Sequence, residues 1–179
     1  MLDFYHTREV PLLVVHGDLD AFTNYDLNAR RTFERASPNA HLVTLAKGTH
    51  AAFAIQLDAG TLALMNNVLG PPGSDPTNPD AFGCGAAGPE LSSEGHTFLE
   101  PLGGMESFVQ YDREGEPNLP CTGDEYTLPA LDAYEQVELA AQATVAFFDA
   151  HLGGTVEAQR NGCHYLMSTL PEHPAVTVE

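Results

Sequence analysis

Two short apolar runs stand out in the first third of the chain, and each of them ends at a glycine. The first is PLLVVHG over residues 11–17, and the second is HLVTLAKG over residues 41–48. Apolar runs of about four to eight residues that contain β-branched members and lead into turn formers are typical of buried strands in parallel sheets. The pattern therefore predicts strands over residues 10–16 and 41–46.

A helix is predicted between these strands. Thr23 and Asp26 fit a capping box, in which a hydroxyl and a carboxylate accept hydrogen bonds from backbone N–H groups at a helix start. Apolar residues keep helical spacing from Ala29 to Ala36, and Pro38 stops the helix. The order strand, helix, strand predicts one crossover unit of an α/β sheet.

A second helical pattern completes a predicted core over residues 10–70. Its apolar positions run from Phe53 to Val68 and are interrupted by Gly60. Residues 71–127 are rich in Gly, Pro, Ser and Asp and show little periodicity, so we expect a long, loop-rich insertion there.

One long helix is predicted within residues 128–154, from about Leu131 to Leu152. Its apolar residues recur three or four positions apart and form a single stripe: Val137, Ala141, Val145, Phe148 and Leu152. The two glycines that follow are a natural helix stop. Residues 155–179 are predicted to be a tail that holds one short ordered piece and then frays.

Composition narrows the functional classes. The 179 residues, 43% of them hydrophobic, suffice for one ordinary domain. Acidic residues outnumber basic ones by 25 to 7, for a formal net charge of −18. Nucleic acids and anionic membranes bind clustered basic residues, so we expect neither as a partner. No signal peptide is visible at the N-terminus, and the location stays open between the cytoplasm and export.

The three cysteines show no paired C-x-x-C spacing, so a structural zinc site is not expected. Cys84 and Cys121 flank a loop-like segment and could form a disulfide if the protein is exported. Cys163 would then be a free thiol.

Each strand glycine is followed within three residues by a group capable of acid–base chemistry. Asp20 follows the first strand and His50 follows the second. The carboxyl ends of parallel strands meet at one edge of the sheet, so we expect these two side chains to lie close together. A carboxylate that orients a histidine, and a histidine that takes a proton from a nucleophile, are two members of a hydrolytic triad. Asp18 is expected to be a turn residue, and His16 a packed histidine with satisfied hydrogen bonds.

Other sites are not expected. The remaining histidines have no patterned partners: His41, His96, His151, His164 and His173. A calcium loop through Asp18, Asp20 and Asn24 would need a third oxygen ligand at position 22, where Phe22 stands. We therefore predict neither a metal nor a cofactor.

The residues at both strand ends resemble the α/β-hydrolase superfamily. The segment VHGDLD over residues 15–20 resembles the strand motif that carries the acid, and KGTH over residues 47–50 resembles the loop that carries the catalytic histidine. The segment VAFFDAHLGG over residues 145–154 is similar to the closing helix of dienelactone-hydrolase-like proteins and secreted esterases or peptidases. The resemblance implies that Asp20 is the acid and His50 the base. It also implies that residues 1–179 are the C-terminal part of a doubly wound, mostly parallel sheet, with two strands and flanking helices.

The chain departs from that family at the nucleophile. The family's order is serine, acid, histidine, with the serine in a G-x-S-x-G elbow, and no such motif occurs in this sequence. The chain is therefore predicted to be the C-terminal portion of a serine hydrolase that acts on a small-molecule ester or a peptide, with little activity alone. The alternative is a non-catalytic, hydrolase-like module that binds a ligand or partner. Either way two strands leave an exposed sheet edge, from which we expect self-association or pairing with a missing N-terminal half.

Overall fold

The computed structural model describes residues 10–91 and 120–179. They form a mixed α/β structure with a three-stranded sheet and five α-helices. The strands are β1, Leu12–Gly17, β2, Ala40–Leu45, and β3, Val176–Val178; the helices are α1, Arg31–Glu34, α2, Ala59–Leu69, α3, Pro79–Leu91, α4, Ala133–Leu152, and α5, Val156–His164. The N-terminal lead-in, residues 1–9, and residues 92–119 of the predicted insertion, which include His96, lie outside the described residues.

The first two strands are parallel, as the sequence predicts. β1 pairs with β2 in a register that sets Leu12 opposite Ala40 and Gly17 opposite Leu45. The glycine end of β1 therefore lies beside the end of β2 that leads to His50. This register puts Asp20 and His50 at the same edge of the sheet.

The prediction of a two-stranded sheet with a fraying tail is wrong, because the tail returns to the sheet. β3 lies antiparallel along the other edge of β2, where Val178 faces Val43 and Val176 faces Leu45. Val176 is buried in the core cluster beneath α4. A Val-Thr-Val segment suits this half-buried position, since β-branched residues pack well on a pleated surface.

The apolar stripe predicted on α4 does not face the core. Val145, Phe148 and Leu152 are 60%, 52% and 73% exposed. The opposite face packs against the sheet through four apolar side chains, which are Leu139, Ala143, Ala146 and Phe147. Two of these four side chains are small alanines, so the buried face of α4 does not carry the largest apolar residues of the predicted stripe. In the described parts of the chain, no helix is long and apolar enough to cross a membrane.

The helix between β1 and β2 does not start with the predicted capping box. The Thr23 hydroxyl instead donates a hydrogen bond to the carboxylate of Asp20 at 2.7 Å. The Asn24 side chain accepts from the N–H of Leu27 at 3.0 Å and begins a wide helical turn that leads into α1. Thr23 therefore belongs to the loop after β1 rather than to the helix.

The predicted insertion is not irregular throughout, because α3 lies within it. Its glycines serve close packing: a Cβ at Gly83 would meet the ring of Phe22 at 2.9 Å, and one at Gly85 would overlap the carbonyl oxygen of Leu69. The predicted disulfide is confirmed, since Cys84 of α3 is bonded to Cys121. Cys163 is free and exposed, also as predicted. Gly60 does not break α2, which starts at Ala59 and is capped by the Asp58 side chain.

Candidate active site

Two glycines bring the strand ends into backbone contact. A Cβ at Gly17 would lie 2.2 Å from the carbonyl carbon of Gly48, so a side chain cannot be placed there. The N–H of Leu19 donates to the Gly48 carbonyl at 2.9 Å, and the N–H of Asp18 donates to the Leu45 carbonyl at 3.1 Å. Residues 18–23, the acid loop, and residues 46–51, the base loop, are thereby joined along their backbones.

Asp18 is a turn residue, in agreement with the sequence. Its carboxylate accepts from the N–H of Lys47 at 2.6 Å. Lys47 has a φ of 61°, a left-handed conformation that costs energy for a residue with a side chain. The contact with Asp18 fixes this turn, so the base loop takes its shape from the acid loop.

Asp20 and His50 are hydrogen-bonded. The Nδ1 atom of His50 lies 3.1 Å from Oδ2 of Asp20. The Asp20 side chain is 3% exposed and that of His50 is 51% exposed. A carboxylate can only accept, so the shared proton resides on Nδ1 of the neutral ring, which leaves Nε2 as the basic nitrogen.

The acid loop supplies Asp20 with further donors. The N–H groups of Phe22 and Thr23 donate to Oδ1 at 2.9 and 2.7 Å, and the Thr23 hydroxyl donates to Oδ2. Burial alone would raise the pKa of Asp20, but hydrogen bonds from His50 and Thr23 outweigh it, and the pKa lies below its ordinary value. Asp20 is therefore ionised at neutral pH.

The hydrogen bond to Asp20 raises the pKa of His50 above its ordinary value, against an opposing effect of burial. The negative charges of Asp20 and Asp80 act in the same direction. The ring of Phe22 lies beside the imidazole, with ring centroids 5.2 Å apart. His50 is thus a histidine made more basic by its carboxylate and supported on one side by an aromatic ring.

Sequence reasoning missed Asp80, which lies in the first turn of α3 and has no exposed surface. Its Oδ2 atom accepts from the N–H groups of Ala21 and His50, at 2.9 and 3.0 Å, and its Oδ1 atom accepts from Ala51 at 2.6 Å. Burial raises the pKa of Asp80, and the three backbone donors oppose that rise. The Asn-Pro-Asp sequence at 78–80 carried the signal, because proline favours the first position of a helix.

Gln136 of α4 was also missed, because it occupies a core-facing position on a predicted apolar helix. It is fully buried, and its amide accepts from the Thr49 N–H and donates to the Thr49 carbonyl, both at 2.8 Å. The base loop is therefore held from two sides, by α3 through Asp80 and by α4 through Gln136.

Among the remaining histidines of the described residues, His16 approaches this pair, since its Nε2 atom lies 3.8 Å from Oδ2 of Asp20. Both ring nitrogens of His16 have partners, the Gly17 carbonyl and the Thr23 hydroxyl, as expected of a packed histidine. His41 and His151 lie together, with ring centroids 5.9 Å apart, and burial lowers the pKa of His41. The ring contacts of His41 and His151 do not involve Asp20 or His50.

A serine nucleophile is not part of the described site. Ser37 and Ser74 donate to the backbone carbonyls of Val10 and Pro71, respectively. Within residues 10–91 and 120–179, no serine hydroxyl is hydrogen-bonded to His50. The described residues thus hold a carboxylate–histidine pair to which no described serine hydroxyl is bonded.

No family model, curated protein or solved structure matches this chain. The chemistry of the Asp20–His50 edge is therefore inferred from its own geometry.

Proposed function

We propose that Asp20 and His50 are the acid and base of a serine-hydrolase site that cleaves carboxylic esters. The chain would form the C-terminal portion of an α/β-hydrolase sheet. The observation that carries this proposal is the 3.1 Å hydrogen bond between His50 Nδ1 and a buried carboxylate, at the carboxyl edge of two parallel strands.

In this mechanism Asp20 keeps the proton on Nδ1 of His50, so that Nε2 faces the nucleophile. Nε2 takes the proton from a serine hydroxyl as its oxygen attacks the ester carbonyl, and then gives that proton to the departing alkoxide. The ionised, buried carboxylate stabilises the imidazolium that forms between these steps. The His50 side chain is half exposed, which agrees with a role at an accessible site.

The serine and the oxyanion donors would come from a polypeptide segment outside this chain. Among the described residues β1 pairs with β2 alone, so its other edge has no described partner. Parallel strands added beside β1 would end at the same edge as Asp20 and His50. A strand that carries a nucleophile elbow could therefore complete the triad without moving either residue.

A fluorophosphonate probe, which bonds covalently to activated serines, tests the proposal. The purified chain should not be labelled, whereas the chain joined to the coding sequence immediately upstream should be labelled on the serine of a G-x-S-x-G motif. His50→Ala should abolish this labelling, and Asp20→Asn should slow it by about 10³- to 10⁴-fold. Robust ester hydrolysis by the purified chain that depends on His50 would refute an external nucleophile.

The competing function is a non-catalytic module that binds a partner. The exposed apolar residues of α4, Val145, Phe148 and Leu152, favour it, because apolar side chains clustered on one surface often mark binding faces. An upstream sequence without a serine elbow, together with a chain that folds alone, would support this function over the hydrolase.

A further inference from the structure

A single buried oxygen atom connects the acid loop to the base loop. Oδ2 of Asp80 accepts from the N–H of Ala21, which follows the acid, and from the N–H of His50, the base itself. The two donor–acceptor distances are 2.9 and 3.0 Å. Oδ1 of the same carboxylate accepts from Ala51. Both loops are therefore fixed to one rigid, planar group.

We propose that Asp80 is the positioning residue of the Asp20–His50 pair: its carboxylate holds the two loops at the separation at which acid and base form their hydrogen bond. The inference rests on the acid–base function proposed for the pair, and it adds a residue that touches neither the substrate nor the nucleophile.

Helix capping does not explain these contacts. An acidic residue in the first turn of a helix is favourable because it faces the free N–H groups of that helix. The donors to Asp80 come instead from Ala21, His50 and Ala51, which belong to the two loops. The N–H of Asp80 itself is satisfied by the Asn78 side chain at 2.9 Å. The carboxylate of Asp80 therefore accepts hydrogen bonds from the two loops, whereas the Asn78 side chain caps the start of α3.

The start of α3 is anchored well enough to serve as a reference point. The Asn78 side chain donates to the carbonyls of Glu125 and Leu128 at 3.0 and 2.9 Å. The Asn66 side chain of α2 donates to the Asn78 carbonyl at 2.9 Å and accepts from the N–H of Phe82 at 3.1 Å. Asn66 and Asn78 are both buried, so these bonds are shielded from water.

The disulfide adds a second connection between α3 and the acid loop. Cys84 lies one helical turn beyond Asp80 and is bonded to Cys121. The N–H of Cys121 donates to the carbonyl of Ala21, whose own N–H donates to Asp80. Both backbone groups of Ala21 are thus tied to α3, one directly and one through the disulfide.

Asp80→Asn tests the proposal in the purified chain. Asparagine keeps the shape of the side chain but replaces one acceptor oxygen with an NH₂ group, so at least one of the three backbone donors loses its acceptor, and the negative charge is lost. The matched control is Asp58→Asn, because Asp58 also accepts backbone N–H groups, those of Gly60 and Thr61, but at the start of α2.

The readout is NMR of the amides of Ala21, His50 and Ala51 and of the His50 ring. In Asp80→Asn, hydrogen exchange at one or more of these amides should accelerate by about 10- to 100-fold, as expected for a lost buried hydrogen bond. The pKa of His50 should fall, because the charge of Asp80 supports its protonated form. In Asp58→Asn both quantities should stay at their wild-type values.

A folded Asp80→Asn chain with unchanged exchange at Ala21, His50 and Ala51 and an unchanged pKa of His50 would overturn the proposal. Should this variant not fold, hydrogen exchange in the wild-type chain is the test. The amides of Ala21, His50 and Ala51 should be strongly protected, and exchange as fast as that of free loops would overturn the proposal. In the joined protein, Asp80→Asn should slow fluorophosphonate labelling about tenfold or more. An unlabelled wild-type joined protein would refute the hydrolase function, while the NMR result would still decide the positioning of the pair.

Discussion

Removal of the Cys84–Cys121 disulfide should destabilise the chain by about 4 kcal/mol. The bond joins residues 37 positions apart. In the chain-entropy description, closing a loop of this length removes about 13 cal/mol/K from the unfolded ensemble, which amounts to about 4 kcal/mol at 298 K. Ordinary domains have unfolding free energies of about 5–15 kcal/mol, so this single bond would supply a large fraction of the total.

The assay is urea unfolding followed by far-UV circular dichroism. Cys84→Ala with Cys121→Ala is compared with the oxidised parent, and both carry Cys163→Ala so that the exposed thiol cannot exchange with the disulfide. The double variant should unfold at lower urea with a steeper denaturant dependence, because its unfolded chain exposes more surface. Cys163→Ala alone should change the unfolding free energy by less than about 0.5 kcal/mol.

A loss below about 1 kcal/mol with an unchanged denaturant dependence would refute the reasoning. The unfolded chain would then already be compact around the two cysteines, or the native disulfide would be offset by a cost elsewhere. Either result would remove the loop-closure argument.

Three further predictions concern the base loop and the core. The folded-state pKa of His50 is raised from 6.5, so its contribution to stability is complete below that value and is lost as pH rises through the folded pKa. The folded-state pKa of Asp20 is lowered from 3.8, so its contribution is present above that value and is lost as pH falls through the folded pKa. Urea unfolding across pH should show both losses in the wild type, and both should be smaller in Asp20→Asn. Gln136→Leu leaves the buried N–H and carbonyl of Thr49 without their partner and should cost about 2–4 kcal/mol in the same assay. Leu42→Ala, at a fully buried position of β2, should cost about 2–5 kcal/mol.

Each of these predictions has a control and a contradicting result. Gln142→Leu changes a partly buried amide on the same helix and should cost less than Gln136→Leu, so equal costs would contradict the role given to Gln136. Leu64→Ala removes a side chain that is 64% exposed and should be nearly neutral. Identical pH profiles for the wild type and Asp20→Asn would show that the pair does not affect stability.

The sequence predicted the part of the fold in which local pattern and tertiary role agree. The runs before Gly17 and Gly48 are apolar because both are strands of the sheet, and the glycines mark the turns that carry Asp20 and His50. The sequence also predicted the disulfide between Cys84 and Cys121, because these two cysteines flank one loop-like segment. The catalytic roles of Asp20 and His50 stay predictions, since the structure shows their contact and not their reaction.

The missed features depend on contacts between distant segments. Helix α3 was hidden because Gly83 and Gly85 lower helix propensity, yet both are needed where the helix meets Phe22 and α2. The face of α4 was misassigned because its buried side includes Gln136, whose amide satisfies a loop 87 residues earlier. A pattern of apolar residues cannot predict that a polar side chain is buried when its hydrogen-bond partner is so distant in the sequence. Asp80 was overlooked for the same reason.

The contact between Gly17 and Gly48 also restricts which single substitutions the fold can tolerate at these two positions. A side chain at either glycine meets backbone atoms, so no second change of side chain can make room for it. The clash is harder at Gly17, where a Cβ would lie 2.2 Å from its neighbour, than at Gly48, where the nearest atoms are 2.9 Å away. In a library of all single variants selected for folding, position 17 should therefore retain glycine alone, and position 48 should admit alanine at low frequency. Variation at this edge would then be confined almost entirely to the residues around these two positions.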